Sequence, residues 1–233
     1  MEKNTTGNNR SPKTSEADTP SKIGLPAKSK SVAIFDFDGT LADSMVAFIR
    51  IFERMTKRPE VYSDVEIQRF RGMTALHIVR ELRIKPWRMP WMLARGRAMM
   101  RRQAGELDTF EGMEETLRQL HIAGVPMYII SSNSPSNIRK LLRAQGWDEY
   151  FLKVYGNVGI FGKAKMLRKV IARNELDREH VYYIGDEGRD IEAAKLVGVK
   201  SVAVSWGFNS AILLERHDPD KLVKKPVELL TIL

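Results

Sequence analysis

The sequence predicts an α/β protein: a three-layer α/β/α core on a parallel sheet, plus a small all-helical cap inserted after the first strand. Three observations carry this reading. Short apolar runs at 32–35, 125–130, 151–155, 181–184 and 201–204 read as buried strands. Stretches with apolar residues at helical spacing separate most of them, and such alternation implies parallel strands joined by helical crossovers. Between the first and second runs, residues 45–107 show helical periods without a clear strand.

In chain order, residues 1–30 are rich in Ser, Thr, Asn, Lys and Pro and poor in large apolar side chains. They bury too little surface to offset ordering and are expected to form a disordered tail. The first strand, Val32–Phe35, leads into Asp36, Asp38 and Gly39-Thr40. In the cap, Val46, Ile49 and Phe52 share one helical face, and Phe70, Leu76, Ile78, Val79 and Leu82 suggest a second helix. The cluster Trp87, Met89, Trp91, Met92, Leu93 with Met99 and Met100 adds a third apolar surface, the core of a small bundle. The core resumes at 108 and continues to 233. Gly112 to Gly124 reads as a helix closed by its glycine, and Ser134-Pro135 as a cap and first turn. Gly162-Lys163 opens another helix, a further one follows GDEGRD (185–190), and the segment from Leu222 to Leu230 reads as a closing strand and helix.

Composition limits the possibilities. An apolar share of 43% in 233 residues suffices for a real core, and no apolar run reaches about 18 residues, so no membrane span is expected. There is no cysteine, which excludes thiolate chemistry and fits a reducing, cytoplasmic setting. The N-terminal segment lacks the hydrophobic centre of a secretory signal. The net charge of +9 concentrates at Arg80, Arg83, Lys85, Arg88, Arg95, Arg97, Arg101 and Arg102. This stripe suits either an anionic partner, nucleic acid included, or a solvated helix face.

The chemistry gathers at strand ends. Asp36 and Asp38 close the first strand, Ser132-Asn133 the second, and Asp186 and Asp190 follow the fourth, while Lys163 opens a helix. All strand C-termini of a parallel sheet lie on one edge, so these distant groups can converge. Carboxylates in that number favour a hard cation, Mg²⁺ before zinc, since neither Cys nor a paired His is available. A cation beside Ser, Lys and backbone amides traps anions, and phosphate is the natural guest. Plainer readings stand beside these: Ser132 as a turn residue with Ser131 in its place, Lys165 instead of Lys163, and Asp186 and Asp190 as helix-start acids.

These motifs, in this order across about residues 31–230, resemble the haloacid dehalogenase-like (HAD) superfamily, in the phosphoglycolate-phosphatase-like branch with a helical (C1-type) cap. The resemblance implies a Rossmann-like core over 31–44 and 108–233 with the cap at 45–107. It implies Asp36 as nucleophile and Asp38 as general acid/base, with Ser132, Asn133 and Lys163 on the phosphate. It further implies Mg²⁺ held by Asp36, Asp186, Asp190 and the backbone carbonyl of Asp38. An acid at position 38 favours phosphate esters over halides, which leave without a proton. The run FRGMT (70–74) resembles a cap loop that reaches the site, with Arg71 as the substrate-reading side chain. Lys163 is followed by Ala164, where many phosphoglycolate phosphatases resemble one another in a Lys-Pro pair. The expected function is a Mg²⁺-dependent phosphatase for a small phosphorylated metabolite, as a monomer or homodimer. The alternatives are a phosphomutase of the β-phosphoglucomutase type or a nucleic-acid-associated protein on the same scaffold.

Overall fold

The computed structural model describes residues 30–45, 47, 64–71, 73, 80, 85, 87, 107–159 and 161–233. Six parallel strands form one sheet: β1 (Val32–Phe35), β2 (Met127–Ile130), β3 (Phe151–Tyr155), β4 (Val181–Gly185), β5 (Lys200–Val204) and β6 (Lys221–Val223), in the order β3-β2-β1-β4-β5-β6. Strand β1 lies centrally because the chain crosses outward from it in both directions, and such a reversal opens a crevice at the strand C-termini.

Both faces of the inner strands are covered, which is why β1, β2 and β4 read as apolar runs; the edge strand β3 exposes Leu152 and Lys153. Successive side chains alternate sides. Ala33 and Phe35 of β1, with Met127 and Ile129 of β2, pack on one face against α2 (Met113–Ile122) and α3 (Pro135–Ala144) through Met113, Leu117, Leu120, Ile138, Leu141 and Leu142. Val32 and Ile34, with Tyr128 and Ile130, face the other way, onto α4 (Lys163–Arg173) and α5 (Gly188–Val197) through Leu167, Val170, Ile171, Ala194 and Val197. The three predicted layers are therefore present.

Element ends follow local chemistry. Ser134 caps α3, its Oγ accepting from Asn137 N at 3.3 Å, with Pro135 in the first turn. Gly198 closes α5 at φ 75°, a left-handed position that favours glycine. Three expectations shift. β2 starts at Met127, not Val125, because Pro126 has no N–H to donate and serves only as acceptor, to Ala33 N at 3.0 Å. The closing helix is a 3₁₀ segment, Pro226–Thr231. A short helix, α6 (Ala211–Glu215), was not anticipated; five residues are too few to show a period.

The expected tail and most of the expected cap lie outside the described residues. Within the cap range, α1 (Asp64–Arg71) is helical and buries Phe70. The chain segments on either side of the expected cap meet: Asp43 N donates to Asp108 O at 2.9 Å, and Ala42 bridges Thr109 antiparallel.

At the far edge of the sheet, Asp220 accepts from Ser201 N at 2.7 Å and from Ser201 Oγ at 2.6 Å, joining the approach to β6 to buried Ser201 of β5. Burial would raise its pKa, but these bonds from Ser201 outweigh that and hold it below the ordinary value. Its contribution is therefore present above the unfolded pKa and is lost as pH falls through the folded one. Asp220→Ala should lower unfolding stability by about 1 kcal/mol at pH 7. In urea titrations the difference from wild type should shrink toward pH 3; a difference independent of pH would contradict the bond.

Candidate active site

The centre of the site is Lys163, the first residue of α4. Its side chain is buried, and Nζ donates to Asp36 Oδ2 at 2.6 Å and to Asp190 Oδ1. Asp36 sits at the end of β1, its N–H held by Ile184 O at 2.8 Å. Asp190 lies in the first turn of α5 and also accepts from Tyr183 Oη at 3.2 Å. Lys165 is exposed, so the geometry selects Lys163.

Asp186 follows β4 and is wholly buried. Thr40 Oγ1 donates to its Oδ1 at 3.0 Å and Phe208 N to its Oδ2 at 2.7 Å. The loop after β5 wraps around this carboxylate. Asn209 N donates to Asp186 O at 3.3 Å, Asn209 Oδ1 accepts from Gly188 N at 3.1 Å, and Trp206 Nε1 donates to Thr40 O at 3.0 Å. The approach is close enough to demand glycine on both sides. A Cβ at Gly39, where φ is +79°, would lie 2.1 Å from Asp186 Oδ2, and one at Gly207 would lie 2.3 Å from the same atom.

Asp36, Asp186 and Asp190 each place one carboxylate oxygen within 4.8 Å of the others. One cation at about 2.0–2.6 Å from each oxygen spans such a set. The charges call for one. Burial pushes Asp36 up to about 7, with Lys163 pulling it down and Asp190 pushing it up. Burial, then Glu187, Asp36 and Asp190, raise Asp186 well above the usual carboxylate range. Burial alone would lower the Lys163 pKa, but Asp190 and Asp36 outweigh it and hold the ammonium well above its ordinary value. Arg189 also acts on Asp36 and Asp190, but it is paired with Glu187 and together they add no net charge. The three buried carboxylates with Lys163 therefore stay short of positive charge, and a divalent ion fits that deficit.

The Asp38 side chain is not one of the three. It accepts from Asn133 Nδ2 at 3.2 and 3.1 Å, and burial raises its pKa. The two aspartates at the end of β1 thus have different bonded partners, in a chain that leaves the strand in a turn at Phe37, whose O accepts from Leu41 N at 2.9 Å and Ala42 N at 3.0 Å. The expected phosphate ligand Asn133 contacts the expected acid. Of the two serines, Ser131 is fully buried with Oγ accepting from Asn133 N at 3.0 Å, whereas Ser132 is partly exposed at the strand end. Arg71 ends α1; its side chain lies outside the described residues. Sequence reasoning did not single out Thr40, Tyr183 or the loop Trp206–Asn209. Thr40 was in view within DFDGT, and the loop had the signal of following a strand on the ligand-binding edge.

A family model described as haloacid dehalogenase-like hydrolase matches residues 33–204. The chain belongs to this family. A phosphoglycolate phosphatase from Synechococcus elongatus is 36% identical over 205 residues, covering 84% of this chain and 94% of the relative. A pyrophosphatase from Halalkalibacterium halodurans is 25% identical over 210 residues, covering 87% and 96%. In fold, the chain is similar to a haloacid dehalogenase-like hydrolase from Streptococcus pneumoniae, with a TM-score of 0.72 at 23% identity over 87% of this chain and 98% of that one. The family membership and the first relative place the chain in the phosphoglycolate-phosphatase-like branch.

Thr40 touches the proposed ion only through Asp186. Thr40→Val keeps the shape and removes the bond, and should weaken divalent-cation binding about tenfold by calorimetry. An unchanged affinity would show that Phe208 N alone orients the carboxylate.

Proposed function

We propose that the chain is a Mg²⁺-dependent phosphatase that hydrolyses a small phosphomonoester through an aspartyl-phosphate. The observation that carries this reading is the buried Lys163 ammonium between Asp36 and Asp190, with Asp186 alongside, at the ligand-binding edge of the sheet. Lys163 holds Asp36 Oδ2 and so fixes the nucleophile's orientation. An Asp36 oxygen attacks phosphorus, the bond to the ester oxygen breaks, and the Asp38 carboxyl gives its proton to the leaving alcohol. Asp38 then takes a proton from the water that cleaves the acyl-phosphate. Ser132 and Lys163 contact the phosphoryl oxygens. Asp36, Asp186, Asp190 and the Asp38 carbonyl would hold Mg²⁺, which would supply charge neutralisation as negative charge spreads over those oxygens.

Residues 45–107 are read as a cap that covers the site and selects the substrate, with Arg71 as the substrate-reading residue; the paired ends at Asp43 and Asp108 support an insertion. The 36%-identical relative makes phosphoglycolate the first ester to assay. No described helix is long and apolar enough to cross a membrane. A cytoplasmic site of action is part of this proposal.

Asp36→Asn should reduce kcat on phosphate esters by on the order of 10³-fold or more. The measurement is inorganic phosphate release from a panel of esters with and without Mg²⁺. Wild-type release that ignores Mg²⁺, or a substantially active variant, would overturn the reading.

The raised carboxylates also set a pH dependence. Between an unfolded pKa of about 4 and the Asp36 value of about 7, the folded metal-free protein binds more protons than the unfolded chain. This contribution to stability is therefore lost as pH rises through that window. Mg²⁺ takes the place of those protons, so the rise in Tm on adding it should be small at pH 5 and should grow through pH 7. A rise equal at all pH values would separate the ion from these carboxylates.

A further inference from the structure

Asn133 and Asn137 form a connected pair behind the expected acid. Asn133 is the last residue before the Ser134 cap, and Asn137 lies in the first turn of α3, buried at 2% exposure. The Asn133 carboxamide oxygen accepts twice, from Ser134 N at 2.8 Å and from Asn137 Nδ2 at 2.9 Å. Its amino group donates to both oxygens of Asp38. An amide has one acceptor end and one donor end. Two donors converging on Oδ1 therefore force Nδ2 toward Asp38, and a flipped amide would meet donors with its own N–H groups and a carboxylate with its oxygen. Asn137 itself makes no contact with Asp38. Its remaining carboxamide oxygen is buried without a hydrogen-bond partner among the described residues, a cost of about 1–3 kcal/mol that its donor end offsets only in part. A residue kept for shape alone would be better apolar at this position.

We propose that Asn137 is a positioning residue for proton transfer: it fixes the Asn133 amide, which in turn holds the Asp38 carboxyl where it meets the leaving oxygen. This rests on the phosphatase reading. In the first step the ester O–P bond breaks, an Asp36 oxygen–phosphorus bond forms, and the Asp38 proton moves to the departing oxygen. Misplacing Asp38 slows this step only when the leaving group needs that proton. An alkoxide does; p-nitrophenolate leaves without it. Loss of Asn137 therefore has a signature in leaving groups, which a general loss of folding or phosphate binding lacks.

The test is run under single-turnover conditions that read only the first step; the second step, in which Asp38 takes a proton from water whichever ester was used, is thereby left out of the comparison. It compares the rate of alcohol release from an alkyl phosphomonoester, chosen as the wild-type protein's best in the ester panel, with the rate of p-nitrophenolate release from p-nitrophenyl phosphate, for wild type and Asn137→Leu. Leu keeps the volume and removes both polar ends. The alkyl rate should fall about tenfold while the p-nitrophenyl rate falls less than about twofold. Asn137→Ala serves as the second variant and should show the same split, with thermal unfolding confirming that both fold. An equal fall on both substrates, or no fall, overturns the positioning role while leaving the phosphatase reading intact. A wild-type protein that turns over neither ester overturns that reading, and the relay with it.

Discussion

The Lys163 ammonium, buried between Asp36 and Asp190, is the interaction on which the rest of the structure depends. Removing three charged groups from water costs several kcal/mol each unless they satisfy one another. The ends of β1, α4 and α5 are therefore tied together at the same place, although the pairs are 127 and 27 residues apart in sequence. The balance is incomplete: Asp186 adds a third carboxylate and no second ammonium. A fold that only needed stability would replace such a set with apolar side chains. Retaining it makes sense if a divalent ion and a phosphate dianion complete the charge count in turn.

Asp186 is held differently from its neighbours. Asp36 and Asp190 take a charged partner, whereas Asp186 takes neutral donors, Thr40 Oγ1 and Phe208 N. Neutral donors orient a carboxylate without cancelling its charge, which suits a residue whose charge is needed by an ion. The loop after β5 can supply a backbone N–H at 2.7 Å only because Gly39 and Gly207 let two chain segments approach within contact of the same oxygen.

The sheet was legible in the sequence because the faces of its inner strands are buried, so β1, β2 and β4 appear as apolar runs, whereas the edge strand β3 carries exposed Leu152 and Lys153. The same rule misplaced the start of β2. Val125 is as apolar and buried as Met127, and only the missing N–H of Pro126 decides where the ladder begins. Asp36, Lys163, Asp186 and Asp190 were legible because a parallel sheet sends every strand C-terminus to one edge. Position in the pattern implied convergence before any contact was known. Thr40 and Tyr183 were not legible as site residues. Thr40 bonds a carboxylate 146 residues away, and Tyr183 reads as an ordinary core aromatic whose hydroxyl happens to reach Asp190. Such roles depend on single distances, to which residue type and spacing give no access.

Asp36 and Asp38 show why distance decides function here. They are the same residue type two positions apart at the end of β1, yet their bonded partners differ: one carboxylate meets an ammonium, the other a carboxamide. Burial raises both carboxyls; the Lys163 ammonium offsets part of that rise at Asp36, and the Asn133 carboxamide part of it at Asp38. The proposed mechanism gives the two carboxyls opposite proton roles, and what distinguishes them in the structure is the partner each meets, not the residue type. Asn133 holds both oxygens of Asp38, so under the proposed mechanism whatever fixes the orientation of Asn133 bears on proton transfer as well.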